Sequence, residues 1–110
     1  MQELADQARA LGKILQQRRL SVVTAESCTG GGIARLITDE PGSSGWFERG
    51  FVTYSNLSKE EMLGVPRSLI ETHGAVSEEV VLAMARGALV HSNGDVSMSV
   101  SGVAGPDGGT

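Results

Sequence analysis

Ser27, Cys28 and Thr29 stand in a row behind the apolar, β-branched run Leu20-Ser21-Val22-Val23-Thr24 and ahead of three glycines, Gly30-Gly31-Gly32. A hydroxyl or thiol delivered at the tip of a strand, beside the backbone N–H groups of a helix start, suits acyl transfer. It supplies a nucleophile and a pocket for the negative oxygen that its attack creates. The same stretch also reads as a glycine-eased turn in which Ser27 or Thr29 caps the next helix. These residues alone leave both readings open.

A serine attacks only when a neighbour takes its proton. The two histidines are poorly placed for this: His73 precedes Gly74 at a predicted helix end, and His91 lies in a terminal turn. Both positions suit an imidazole that complements a helix dipole. Lys59 becomes the candidate base if desolvation lowers the pKa of its amine, with Tyr54 relaying the proton or positioning the amine. The plain alternatives are a solvated lysine beside Glu60 and a strand-end aromatic covering the core. Cys28 is the rival nucleophile at the helix start, or else a small buried hydrophobe. Asp107, in Pro106-Asp107-Gly108-Gly109, is a general acid or metal ligand, or a turn aspartate. Neither paired carboxylates nor a histidine cluster suggest a metal site.

Elements must position these groups. Leu4, Ala8, Leu11 and Leu15 recur at helical spacing and predict a helix over 3–18. A strand is predicted over 20–25 and a helix over 29–38, stopped by Asp39-Glu40-Pro41-Gly42. Residues 47–55 read as a second strand, and Ser58 as the cap of a short helix whose first turn carries Glu60 and Glu61. Pro66 opens another short helix ending at His73-Gly74, and Ser77 caps a helix over 78–90 with Val80, Met84 and Ala88 as its buried stripe. Residues 95–103 alternate, with Val96, Met98 and Val100 set against Ser97, Ser99 and Ser101, a half-buried strand. The expected fold class is α/β: a three-layer α/β/α sandwich around a mixed or mostly parallel sheet. If the strands run parallel, the loops after residues 26, 54 and 101 gather at one sheet edge, where open α/β sheets bind ligands.

Composition narrows the functional classes. At 110 residues, 40% hydrophobic and 20% charged, the chain reads as one soluble domain. A net charge of −4 argues against a nucleic-acid grip built on phosphate neutralisation. One cysteine permits no internal disulfide and no thiol-rich zinc site. No apolar run reaches membrane-spanning length and the first residues are charged and amphipathic, so a cytoplasmic protein without membrane partners is expected. The 15 glycines cluster at 30–32, 42–50 and 102–109, which points to loops with special backbone angles or close ligand approach.

Taken together, four segments resemble the nicotinamide-nucleotide amidase family, also known as the C-terminal domain of the competence/damage-inducible protein CinA. They are Ala25-Glu26-Ser27-Cys28-Thr29-Gly30-Gly31, Tyr54-Ser55-Asn56 with Lys59, Gly74-Ala75-Val76-Ser77, and Ser101-Gly102-Val103-Ala104-Gly105-Pro106-Asp107-Gly108-Gly109-Thr110. The resemblance implies hydrolysis of the carboxamide of nicotinamide mononucleotide to nicotinate mononucleotide and ammonia, in pyridine-nucleotide salvage, without cofactor or metal. It implies Ser27 as nucleophile, Lys59 as base and Tyr54 as their hydrogen-bonding partner. Thr29, Gly30, Gly31, Gly105 and Thr110 would hold the substrate and its oxyanion. It also implies a homo-oligomer, and a domain over 1–110 that continues beyond Thr110 with further strand and helix. A short-chain dehydrogenase is set aside: Tyr54 and Lys59 lie five apart across a strand-to-helix loop, and no Gly-x-Gly-x-x-Gly follows the first strand. The alternative from another class is a nucleotide-binding or regulatory module without catalysis.

Overall fold

Val22–Glu26 is apolar and β-branched enough to be covered on both sides, and it forms the central strand, β1, of a parallel three-stranded sheet. The computed structural model describes residues 2–102. Its other strands are β2, Phe47–Val52, and β3, Val96–Val100, in the order β2-β1-β3. The helices are α1, Gln2–Arg18; α2, Gly32–Thr38; α3, Asn56–Leu63; α4, Arg67–His73; and α5, Glu78–Val90.

Strand alternation sends successive β1 side chains to opposite faces. Val22 joins Leu15, Ile37 and Trp46 in a core between the sheet and α1–α2. Val23 and Ala25 join Leu63, Val65, Ile70, Val80, Met84 and Ala88 in a second core beneath α3–α5. Two cores on two faces make the three-layer α/β/α sandwich. The predicted stripe of α5 is fully buried, at 0% exposure for Val80, Met84 and Ala88. The crossing of α3 and α5 is close enough that a Cβ on Gly87 would collide with the Leu63 carbonyl. Glycine here sets the spacing of two helices.

Several predicted boundaries and one predicted face shift, the first strand from 20–25 to Val22–Glu26 among them. The second strand ends at Val52 and not at residue 55, and α3 begins at Asn56 with Ser55, not Ser58, as its cap: Ser58 N donates to Ser55 Oγ at 3.0 Å. Helix α2 begins at Gly32, after a turn, and its cap position is Gly31 in the left-handed region. The third strand ends at Val100. The face of β3 that meets α5 is the serine face: Ser97 Oγ donates to Ala85 O at 3.0 Å and Ser99 Oγ to Val81 O at 2.7 Å. Small side chains let the helix settle close and satisfy their hydroxyls on its carbonyls, while Val96 and Met98 stay exposed.

Candidate active site

The sheet runs parallel, so the loops after β1 and β2 leave from the same edge, and the one after β3 starts there with Ser101 and Gly102. Helix α2 follows β1 on one face, and α3–α5 connect β2 to β3 on the other. The carboxyl end of β1 is therefore the point where the winding reverses, the position at which such sheets hold ligands. Ser27 is the residue at that point.

Ser27 extends β1 by one rung, its N–H donating to Val100 O at 3.1 Å. It is 5% exposed and continues the face of Val23 and Ala25, toward α3. From the second turn of α3, Lys59 reaches back to it: Nζ lies 3.2 Å from Ser27 Oγ and 3.4 Å from the carbonyl oxygen of Tyr54. Lys59 is 1% exposed, and burial pushes its amine below the ordinary lysine pKa because the charged form has lost its water. Sequence separation of thirty-two residues collapses to hydrogen-bond distance. An amine with a lowered pKa touching a buried hydroxyl is the arrangement that nucleophile-and-base chemistry requires.

Tyr54 meets this pair through its backbone. Its phenol is 69% exposed, and the carbonyl oxygen takes the bond from Lys59. Cys28, next to the serine, is half-buried, with its Sγ 3.3 Å from where a Cβ on Gly102 would stand. His91 binds the Gly87 carbonyl through Nδ1 at 2.9 Å, closing the end of α5, and His73 Nδ1 lies 3.6 Å from Glu79 Oε2. Neither histidine is hydrogen-bonded to Ser27 or Lys59 among the described residues. Among the described residues, no three His, Cys, Asp or Glu side chains gather into a metal-sized group, and no helix is long and apolar enough to cross a membrane.

The start of α2 is not the open anion pocket that the glycine run suggested. Glu26, 1% exposed at the end of β1, turns its carboxylate onto it: Oε1 accepts from Ile33 N at 2.7 Å and Oε2 from Ala34 N at 2.9 Å. Thr29 Oγ1 donates to the same carboxylate at 2.6 Å, so Thr29 braces the cap and is not itself the cap. Gly30 N donates to Ser27 O and Gly32 N to Thr29 O, both at 3.2 Å. What remains are the amides of Cys28, Thr29 and Gly31, which donate to nothing among the described residues. Gly30 and Gly31, at φ +62° and +103°, hold that turn in a backbone form that other residues resist. Gly105, Asp107 and Thr110 lie outside the described residues.

The sequence profile of the family described as the CinA C-terminal domain matches residues 4–110. The chain belongs to that family. The nicotinamide-nucleotide amidohydrolase PncC of Escherichia coli K12 is 55% identical over 108 residues, covering 98% of this chain and 66% of the relative. The protein of the same name from Pseudomonas putida is 56% identical over 110 residues, 100% of this chain and 69% of the relative. A CinA-like protein of Akkermansia muciniphila is 60% identical over 96 residues, but these make up only 23% of its length. The crystal structure of the competence/damage inducible protein CihA from Agrobacterium tumefaciens superposes with a TM-score of 0.94 at 46% identity, covering 97% of this chain and 65% of that one. The chain thus spans about two thirds of the amidohydrolases it matches and about a quarter of the longer relatives.

In this CinA C-terminal domain, the residue that reading the sequence overlooked is Glu26. It ends a strand of apolar neighbours, and nothing local shows that its partners lie seven and eight residues ahead. The one available signal was a carboxylate just upstream of a helix start whose own cap position is glycine.

Proposed function

We propose that this CinA C-terminal domain carries the catalytic centre of an amidohydrolase that converts nicotinamide mononucleotide to nicotinate mononucleotide and ammonia, with Ser27 as nucleophile and Lys59 as base. The observation that carries the reading is the buried contact of Lys59 Nζ with Ser27 Oγ at 3.2 Å. The substrate class comes from the names of the relatives in Escherichia coli and Pseudomonas putida.

In this reading the neutral Lys59 amine takes the Ser27 proton as Oγ attacks the carboxamide carbon. The resulting oxyanion is met by amides of the Ser27–Gly31 turn, where those of Cys28, Thr29 and Gly31 donate to nothing among the described residues. Lys59 then gives its proton to the departing nitrogen, ammonia leaves, and Ser27 holds the acyl group as an ester. Water attacks the ester, Lys59 takes its proton and returns it to Ser27 Oγ, and the acid departs. Every proton is accounted for by one amine, and no cofactor or metal enters the scheme. Tyr54 serves through its carbonyl, which accepts from the amine, while its side chain is exposed. Gly105 and Thr110 are proposed as substrate contacts, and assembly as a cytoplasmic homo-oligomer belongs to the same proposal.

The test is ammonia release from nicotinamide mononucleotide by the protein and by its Ser27→Ala and Cys28→Ala variants. Loss in Ser27→Ala with retention in Cys28→Ala supports the reading. Ligand binding without ammonia, at the full length of the relatives, supports a binding module in its place.

A further inference from the structure

Two buried side-chain oxygens lack a hydrogen-bond partner among the described residues: Thr24 Oγ1 and Thr53 Oγ1. Thr24 points to the α1–α2 face, beside Gly50. Thr53 points the other way. Its N–H donates to Glu26 O at 2.8 Å, which carries the β1–β2 ladder one rung past the pair Glu26 and Val52. Paired residues of a parallel ladder share a face, so the next pair is Ser27 and Thr53. Phe51 packs with the α3–α5 core, and Val52 faces the Gly31 turn, its Cγ2 3.5 Å from a Cβ built there. Thr53 alternates back to the side of Phe51, Ser27 and Lys59, at 0% exposure.

A buried hydroxyl without a partner is costly, and one kept across the ladder from Ser27, on the face that Lys59 reaches, needs a reason. The proton count gives it. A neutral amine has two N–H groups and a lone pair, and the lone pair must face Ser27. Once it has taken the serine proton it has three N–H groups at a buried nitrogen. The Ser27 oxygen and the Tyr54 carbonyl accept two of them. We propose that Thr53 is a positioning residue whose hydroxyl oxygen accepts the third N–H of Lys59 while the amine holds the proton taken from Ser27. The inference rests on the proposed role of Lys59 as base. Of the charged groups on the elements packed around it, Glu26 is turned to α2, Glu60 pairs with Arg67 at 3.2 Å, and Glu61, Glu71, Glu78, Glu79 and Arg86 are exposed. No carboxylate among the described residues forms an ion pair with it.

The experiment measures the pH–rate profile of ammonia release for Thr53→Val, Thr53→Ser and Lys59→Met in the protein at the length of its amidohydrolase relatives. Thr53→Val keeps the shape and removes the acceptor. Its plateau rate should fall about tenfold or more, the scale of a hydrogen bond to a charged group. Its acidic limb should move to lower pH by about one unit, because the protonated amine has lost a stabilising partner. Thr53→Ser should restore both. A merely structural role would lower the plateau without moving the limb, and that result, or a wild-type profile in Thr53→Val, overturns the inference. Should Thr53→Val not fold, Thr53→Ala reads the same loss of the hydroxyl. Full activity in Lys59→Met would instead overturn the base assignment on which the inference stands.

Discussion

Replacing Lys59 by methionine should make the protein more stable and inactive at once. The amine is 1% exposed and held by two long hydrogen bonds, at 3.2 and 3.4 Å, with no carboxylate beside it among the described residues. Methionine has a similar unbranched shape and needs no partner. Removing a buried, under-satisfied polar group of this kind should raise stability by about 1–3 kcal/mol near neutral pH. That corresponds to a rise in Tm of roughly 4–8 °C per kcal/mol for a domain near this size. The pH dependence has a definite sign. Burial holds the folded-state pKa below the ordinary value, so between that value and the unfolded one, about 10.4, the unfolded chain binds more protons than the folded one. The contribution of Lys59 to stability therefore improves as pH rises through this interval. Below the interval its penalty is present in full. Urea unfolding followed by circular dichroism at about pH 7 and about pH 10.5 compares a lower pH with one near the unfolded value. The gain of Lys59→Met should be large at the first and shrink at the second. A variant equally destabilised at both would refute the reasoning, since the amine would then be a structural tether and not a strained base.

The Glu26 carboxylate should prove a structural keystone of the turn: Glu26→Ala strands two helix N–H groups and the Thr29 hydroxyl and should cost about 3–5 kcal/mol in urea unfolding, against about 1–2 kcal/mol for Glu26→Gln, which keeps one acceptor. Gly87→Ala forces a methyl into the Leu63 carbonyl and should cost about 1–3 kcal/mol by overpacking, read in the same assay. In the proposed reaction, ammonia release should rise with pH until Lys59 has lost its proton, and a profile flat from acid to alkaline pH with chemistry rate-limiting would remove the lysine as base.

The architecture was legible where a long-range demand leaves a local trace. Val80, Met84 and Ala88 recur at helical spacing because one face of α5 must be buried, and it is. The contact of Ser27 with Lys59 followed from strand-end loops converging at one edge of a parallel sheet. What stayed hidden depends on partners that spacing does not reveal. The serines of β3 look like a solvent face until α5 lies on them with its carbonyls. Glu26 looks like a strand-end charge until α2 folds back over it. Tyr54 carries chemistry in its type, yet it is the carbonyl that reaches the lysine, and a carbonyl has no signature in a sequence.

The most direct test of the account is to trap the acyl-enzyme by acid quench during turnover of nicotinamide mononucleotide and locate the adduct by peptide mass spectrometry. The account predicts one ester-linked nicotinate mononucleotide on Ser27, absent in Ser27→Ala and failing to form in Lys59→Met. An adduct on Cys28, or undiminished ammonia release by Ser27→Ala, would contradict it.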